Sequence, residues 1–183
     1  MILLPNASFF TFSYAYFNVI PLSTEHLSLY SELYCDSKTM QHVALPLTQS
    51  SVRKSFESAL KYNSAIAPKR LFLVIFDTRK KSNAGLLGVS AVESTSSEVE
   101  VGIMLLQQFH RSGLALDALV SLCSAVFHLI PNTTIIGKIN PFNASAKKLV
   151  EKVGFVYCSR SSNYKLVPDT FCFKNSEGVK WIT

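Results

Sequence analysis

The chain is poor in the residues that mark linkers and low-complexity regions, with seven glycines and seven prolines among 183 residues. Charged residues make up only 16% of the sequence, whereas apolar residues make up 48%. This balance excludes a linker-rich chain and is typical of a globular protein. At this length, a single domain over residues 1–183 can bury a large core without disulfide bonds or metal ions.

The sequence also lacks the residue spacings that bind metal ions. Its four cysteines, at positions 35, 123, 158 and 172, form no C-x-x-C pair and have no nearby histidine couple. The histidines show no ligand spacing either, so we expect no metal site. Cys123 lies in an apolar helical segment, as a core residue would. We therefore expect reduced thiols and a cytoplasmic protein.

Long apolar runs are missing too, because no window approaches the roughly 20 apolar residues of a membrane-spanning helix. Residues 1–24 carry no charge, but polar residues interrupt them and no Lys or Arg precedes them, unlike a secretory signal. Aromatic residues at 10, 12, 14 and 16 alternate with smaller ones, which is the period-2 pattern of a strand. We predict an edge strand over residues 10–20 and no membrane partner.

Basic residues outnumber acidic ones, which gives a net charge of +6. This excess favours anionic partners such as phosphates. The basic residues are scattered in short groups, at 69–70, 79–81 and 147–148. This distribution fits either a solvated cationic surface or a site for a polyphosphate cofactor. No motif interleaves aromatic and basic residues, so we do not expect nucleic-acid binding.

Local periodicity predicts an alternation of strands and helices. Ser23 or Thr24 begins a first helix and Thr48 a second, while Asn143 begins the last helix, which Gly154 ends. One helical turn is expected within 36–47. Strands are expected at 10–20, 71–76, 85–92, 98–106 and 133–139, a charged loop at 77–84, a long helix at 114–130, and a terminal hairpin from 155–167 and 170–174. This order predicts a three-layer α/β fold with a mixed sheet.

A glycine turn between a strand and a helix is the most informative local feature. It comprises His110-Arg111-Ser112-Gly113-Leu114-Ala115, between the strand and the long helix. The N–H groups of residues 111–115 and the positive end of the helix dipole would point at the same spot. Gly113 allows close approach of the backbone to a ligand. The turn therefore predicts a phosphate site.

Three motifs in order resemble the GNAT acetyltransferase superfamily, and its ribosomal-protein N-terminal acetyltransferases in particular. Residues 100–105 are similar to E-I-G-Y-x-L, residues 113–118 to the end of Q/R-x-x-G-x-G/A-x-A-T-E-A, and residues 143–155 to N-x-x-S followed by E-K-x-G-F. The resemblance implies an α/β/α fold with a mixed, mostly antiparallel, splayed central sheet. It also implies acetyl-CoA as the co-substrate and an amine acceptor, with a monomer or homodimer as the assembly.

The resemblance further implies which residues hold the co-substrate. The pyrophosphate site falls on His110, Arg111, Ser112, Gly113, Leu114 and Ala115, and the strand that pairs with the pantetheine arm falls on Ile103, Met104 and Leu105. Asn143 would position the arm or a bridging water, or act as a plain helix N-cap. His110 stands where Gln or Arg is usual, and Arg111 replaces a frequent glycine. Arg111 either adds a charge suited to phosphate or is a solvent-facing cation.

Acetyl transfer requires a proton acceptor for the amine, because an aliphatic amine is mostly charged at neutral pH. Glu100 is the leading candidate for this base, since it aligns with the glutamate of the family's E-I-G pattern. Glu98 is the reserve and Glu93 a weaker third candidate. The alternative is that Glu100 is only a solvent-facing strand glutamate.

The proton donor for the leaving thiolate is harder to assign. Val150 and Ala146 occupy the positions where the superfamily has a tyrosine and the N-terminal acetyltransferases a serine. Ser145 lies one place earlier, which rotates it about 100° around a helix. We take Ser145 as the catalytic candidate, with Tyr157, Tyr164 or solvent as alternatives.

The sequence therefore predicts an acetyl-CoA-dependent N-acetyltransferase that transfers the acetyl group directly to a protein N-terminus or a small amine. Cys123 is buried by pattern, so a covalent acetyl-cysteine step is not expected. The acceptor should bind between residues 36–63 and the C-terminal hairpin. The alternative is a catalytically silent GNAT-fold module that binds acyl-CoA or a partner.

Overall fold

The computed structural model describes residues 2–93 and 97–171, and the backbone of residues 179–181. Its strands are β1 (Phe12–Tyr14), β2 (Phe17–Pro21), β3 (Arg70–Asp77), β4 (Ser82–Ala91), β5 (Glu98–Leu105), β6 (Thr134–Gly137), β7 (Val156–Cys158), β8 (Asn163–Leu166) and β9 (Val179–Trp181). Its helices are α1 (Leu27–Cys35), α2 (Ser37–Met40), α3 (Gln49–Asn63), α4 (Leu114–Leu129) and α5 (Ala144–Val153).

The described strands form one mixed sheet in the order β7-β8-β6-β5-β4-β3-β2-β1-β9. Neighbouring strands are antiparallel except for β5 and β6, which are parallel and joined by the α4 crossover. Helices α1 and α3 cover one face, where the Tyr30 ring meets Phe72 of β3 edge-on. Helices α4 and α5 cover the other face. This arrangement confirms the predicted three-layer α/β/α class.

The sheet splays between its two parallel strands. Strand β4 pairs with β5 as far as Leu105, whereas β6 pairs with β5 only from Glu98 to Glu100. Beyond Glu100 the two strands separate, because β6 ends at Gly137 and the chain turns toward α5. The splay that the resemblance implies is therefore present.

The N-terminal segment differs from the prediction of one edge strand over 10–20. A tight turn divides it into β1 and β2, with Ala15 in the left-handed region at φ 39°. The alternation of aromatic and small residues continues on both sides of this turn, so the pattern alone conceals it. Strand β2 then pairs with β3 and lies inside the sheet, while β1 pairs with β9.

The predicted helix starts are confirmed by their caps. Ser23 precedes a short 3-10 turn that continues into α1, and Thr48 Oγ1 accepts from the Ser51 N–H at 3.2 Å to begin α3. Asn143 Oδ1 accepts from the Ala146 N–H at 3.0 Å, and α5 ends at Gly154 with φ 109°.

The predicted loop over 77–84 and the predicted terminal hairpin are both wrong in their limits. The expected loop over 77–84 is a tighter turn, because β3 continues to Asp77 and β4 begins at Ser82. The segment 155–167, expected as one strand of a hairpin, itself contains β7 and β8, which turn around Ser162 at φ 52°. Residue 170 ends a 3-10 turn, and residues 172–174 of the expected second strand lie outside the described residues.

No helix within the described ranges is long and apolar enough to cross a membrane. The same part of the chain contains no group of three or more His, Cys, Asp or Glu residues that could hold a metal ion. Cys123 is a fully buried residue of α4, and burial raises the pKa of its thiol. Its expected role as core filling is confirmed.

Candidate active site

The turn between β5 and α4 presents a cluster of free backbone donors. Arg111 and Gly113 both have left-handed backbone, at φ 61° and 85°, and α4 begins directly after Gly113. In the described part of the chain, the N–H groups of residues 111, 112, 113 and 115 donate to no other protein group. These donors lie at the N-terminus of a 16-residue helix, where the helix dipole also favours negative charge. The turn has the chemistry of a phosphate site.

The side chains of Ser112 and His110 stabilise the conformation of the turn through hydrogen bonds. Ser112 Oγ donates to the Phe109 carbonyl at 2.7 Å and stands 3.4 Å from the Leu114 nitrogen. His110 Nε2 lies 3.0 Å from the Leu105 carbonyl, so His110 ties the turn back to β5. Arg111 is exposed and carries a charge that could meet a phosphate.

A second cluster anchors the N-terminus of α4 to the β3–β4 turn. Tyr16 donates to Asp117 at 2.5 Å, and the Arg79 guanidinium lies 3.5 Å above the Tyr16 ring. Arg79 also pairs with the buried Asp77 at 3.0 Å. Burial alone would raise the pKa of Asp77, but hydrogen bonds from Arg79 and from the Lys80 N–H outweigh it and lower that pKa. This network fixes the start of α4.

Every second residue of β5 turns its backbone N–H and carbonyl groups toward the splay. Glu98 O accepts from Val92 N and Leu106 N donates to Ala84 O, so the backbone of even-numbered β5 residues faces β4. The backbone of residues 101, 103 and 105 therefore faces the splay. Of the three residues expected to pair with a pantetheine arm, Ile103 and Leu105 have this orientation. The Leu105 carbonyl is taken by His110, and Met104 contributes its side chain to the cavity wall.

A cavity of about 330 Å³ occupies the splay and opens over the α1 face of the sheet. The β5 segment 101–104 forms one wall, and residues 137–140 with the start of α5 form the opposite wall. Tyr34 of α1 and His42 of the loop after α2 also line it. The cavity thus joins the backbone edge of β5 to the region where residues 36–63 were expected to hold an acceptor.

Glu100 is the one carboxylate among the described residues that line this cavity. Its Oε2 lies 2.7 Å from Lys138 Nζ, and the two side chains are 33% and 58% exposed. Glu98 points to the same face but pairs with Lys165 at 2.6 Å outside the cavity lining, and this carboxylate raises the pKa of Lys165. Glu93 pairs with Lys69 on the surface. Position therefore distinguishes Glu100 from both alternatives.

The structure does not bring Ser145 to the cavity. Asn143, Ala146 and Val150 line it, whereas Ser145 is exposed and lies outside the lining. The reason is the rotation of about 100° per residue along α5. Asn143 caps α5 and lines the cavity at once, so the two roles considered for it are compatible.

The tyrosine alternatives for the proton donor also lie outside the cavity lining. Tyr157 is exposed, and Tyr164 donates to Glu151 at 3.3 Å. Burial, and secondarily Glu151, raises the pKa of Tyr164.

Sequence reasoning missed several polar residues of the cavity. Tyr34 stacks on Tyr30 at 4.2 Å, and burial and Tyr30 raise the pKa of its hydroxyl. Its helical spacing from Tyr30 made it look like a core residue. Arg70, Ser90 and Lys138 also line the cavity, but they come from three separate strands or strand ends, and only the sheet register brings them together.

Comparisons with known proteins identify the family of the chain. The family model described as the acetyltransferase (GNAT) domain matches residues 17–156. A search of curated proteins finds no significant match.

Among solved structures, the chain resembles spermidine N-acetyltransferase from Vibrio cholerae in complex with CoA and spermine, with 14% identity, 84% and 96% of the two chains covered and a TM-score of 0.71. It also resembles the ribosomal L7/L12 α-N-protein acetyltransferase RimL in complex with coenzyme A, with 15% identity, 85% and 96% coverage and a TM-score of 0.71. The ribosomal-protein-S5-alanine acetyltransferase from Vibrio fischeri follows, with 12% identity, 88% and 98% coverage and a TM-score of 0.67. At these identities the structural matches show the fold, whereas the family model covers more than half of the chain. The chain therefore belongs to the GNAT acetyltransferase domain family.

Proposed function

We propose that this protein is an acetyl-CoA-dependent N-acetyltransferase that acetylates an amine bound beside Glu100. The observation that carries the proposal is the position of Glu100, the one described carboxylate in a cavity that also reaches the backbone edge of β5. Free N–H groups at the start of α4 suit a pyrophosphate, and the outward-facing backbone of Ile103 suits an extended amide chain. Acetyl-CoA would supply an activated acetyl group as a thioester.

The protein's own part is to hold the acceptor and move its proton. An ammonium acceptor must first lose a proton before its nitrogen can attack the thioester carbonyl. In this proposal Glu100 takes the proton, directly or through water, and its ion pair with Lys138 orients the carboxylate. The new amide bond replaces the carbon–sulfur bond, and coenzyme A leaves as a thiolate that solvent can protonate. We infer direct transfer, because Cys123 is buried and none of the described cysteines lines the cavity.

Both acceptor types considered from the sequence stay within the proposal, namely a protein N-terminus and a small amine. The motif resemblance favours the N-terminal acetyltransferases of ribosomal proteins. The similar structures include a complex with spermine and a ribosomal L7/L12 enzyme, so their names support either type. A cytoplasmic monomer or homodimer is the expected setting.

A silent acyl-CoA-binding module is the second candidate. The specific observation in its favour is that Val150 and Ala146 occupy the usual acid positions, while Ser145 lies outside the cavity. The two candidates differ in turnover and not in binding.

The test measures acetyl-CoA binding by calorimetry and thiol release with a panel of amines and N-terminal peptides. We expect micromolar binding and release of free thiol with at least one acceptor. Arg111→Glu should weaken binding at least tenfold, whereas Arg160→Glu, an equally exposed cation of the β7–β8 turn, should not. Binding without turnover by any acceptor would favour the silent module, and absence of binding would contradict both candidates.

A further inference from the structure

A row of paired residues crosses the sheet at the acceptor end of the cavity, the end lined by Tyr34 and His42 where the acceptor is expected to bind. Arg70 of β3 pairs with Ser90 of β4, and Ser90 pairs with Glu100 of β5. Residues paired in this way share one face of the sheet, and adjacent strands lie about 4.8 Å apart. The backbones of Arg70 and Glu100 are therefore about 10 Å apart, and both side chains line the cavity.

Arg70 is held in position while its charge is left unneutralised. Its Nε donates to Ser90 Oγ at 3.0 Å, and this bond orients the exposed guanidinium along the sheet. Within the described part of the chain, Arg70 forms no ion pair, and its two terminal nitrogens donate to no protein acceptor. A guanidinium with two free, parallel donors is suited to bidentate binding of a carboxylate.

The charges around Glu100 also favour an acceptor that carries an anionic group. Lys138 already pairs with Glu100, so an incoming ammonium group must compete with a cation of the protein itself. Arg70 adds a second positive charge. The other ionisable side chains at this end bring no negative charge at neutral pH, because burial raises the pKa of the Tyr34 hydroxyl and an imidazole such as that of His42 is neutral or positive. A polyamine would bring further positive charge into this region and be disfavoured. An acceptor with its own anionic group would compensate Arg70.

The geometry points to an acceptor that carries a carboxylate a few bonds from its amine, with the amine at Glu100 and the carboxylate at Arg70. This inference rests on the proposed function and narrows it to a substrate class. The carboxylate could belong to a free amino acid or to the N-terminal residues of an acidic peptide.

The experiment compares acceptors that differ in one charge. Three short peptides share every residue except the second, which is Asp, Asn or Lys, and a free α-amino acid, its amide and spermidine complete the set. Thiol release should give kcat/KM for the Asp peptide at least tenfold above that for the Lys peptide, with spermidine among the poorest acceptors. The more active of the amino-acid and peptide arms identifies the source of the carboxylate.

Variants then assign the preference to Arg70. Arg70→Gln should raise KM for the Asp peptide about tenfold with kcat within threefold, and Arg70→Glu should favour the Lys peptide. Lys69→Gln is the matched control, because Lys69 is the neighbour of Arg70 in the chain but pairs with Glu93 outside the cavity. Wild type preferring spermidine or the Lys peptide, or Arg70→Gln keeping the wild-type preference, would overturn the inference.

Failure of the proposed function gives a separate result. If acetyl-CoA binds and no acceptor releases thiol, the enzyme proposal falls. The same three peptides are then titrated into the CoA-loaded protein by calorimetry. Tighter binding of the Asp peptide that Arg70→Gln abolishes would support the carboxylate site alone, and equal binding of the three peptides would contradict it.

Discussion

Replacement of Glu100 by glutamine is the most direct test of the chemistry at this site. The substitution keeps the size of the side chain and removes the charge that would take the acceptor's proton. Two other glutamates provide matched controls, because each also pairs with a lysine. Glu98 pairs with Lys165 and Glu93 with Lys69, but neither lines the cavity.

The structure separates the expected effect on stability from the effect on rate. Glu100 is 33% exposed and Lys138 is 58% exposed, and such partly solvated pairs contribute only about 0–1 kcal/mol to the free energy of unfolding. A general base contributes about 10²- to 10⁴-fold to the rate, or about 3–5 kcal/mol of activation free energy. Glu100→Gln should therefore remain folded and lose at least a hundredfold in kcat/KM at pH 7.

The pH dependence identifies the step that is lost. Without a base, the reaction depends on the fraction of acceptor that solvent has already deprotonated. For a peptide α-amine, whose pKa is about 8, this fraction rises steeply up to that pH and levels off above a pH of about 9. The deficit of Glu100→Gln relative to wild type should therefore shrink as the pH rises from 6 to 9.

Thiol release with one peptide acceptor, measured over that pH range, checks each glutamate variant beside its melting temperature. Glu98→Gln and Glu93→Gln should stay within about threefold of wild type. Glu100→Gln within threefold of wild type at pH 7 would refute its role as the base. A loss in Glu98→Gln equal to that in Glu100→Gln would refute the argument from cavity position.

Three further predictions concern the scaffold, and each is checked by chemical unfolding. Gly85→Ala should lower the free energy of unfolding by about 2–3 kcal/mol, because the new Cβ would overlap the Met104 carbonyl and lie 2.6 Å from Leu105 Cδ2. Gly88→Ala is the control, since the nearest atom to its new Cβ is 4.0 Å away, and it should cost less than half as much. Asp77→Asn should cost about 1.5–3 kcal/mol at pH 7. Since the pKa of Asp77 is lowered in the fold, its stabilisation is complete above the unfolded value of about 3.9 and is lost as the pH falls from that value through the lower pKa of the folded state. The difference between wild type and variant should therefore shrink only below a pH of about 4. Asn143→Ala should cost about 1 kcal/mol through the lost cap, and Asn143→Ser should restore most of it.

Each of these scaffold predictions has a result that would contradict it. Equal effects of alanine at positions 85 and 88 would mean that β4 shifts to make room. A constant difference between wild type and Asp77→Asn down to pH 3 would exclude the carboxylate as the titrating group. Equal stability of the alanine and serine variants at position 143 would show that the cap contributes nothing.

Much of the fold follows from local patterns in the sequence. Helix caps at Thr48 and Asn143, the buried strand around residues 71–76 and the glycine turn before α4 all lie where propensity and periodicity predict them. Each depends on residues within a few positions of one another. The division of the N-terminal strand was missed, because a turn at Ala15 leaves the alternation of aromatic residues intact on both sides.

The acceptor end of the site could not be predicted in this way. Arg70 and Glu100 lie 30 positions apart in the chain and share a face only through two strand registers, from β3 to β4 and from β4 to β5. Lys138 reaches Glu100 from beyond the end of β6. In the sequence, Lys69-Arg70 is an unremarkable basic pair. In the structure Lys69 precedes β3 and pairs with Glu93, whereas Arg70 begins β3 and lines the cavity.

Register therefore connects a structural glycine to the proposed chemistry. Gly85 lies opposite Leu105 at the far end of the same β4–β5 ladder that aligns Ser90 with Glu100. A Cβ at position 85 would overlap the Met104 carbonyl, so only glycine allows β4 and β5 to approach this closely at this end of the ladder. A shift of one residue would turn Ser90 to the other face and separate the guanidinium of Arg70 from its support. Loss of Gly85 should thus disturb acceptor selection as well as stability, although it lies five residues from Ser90 and outside the cavity lining.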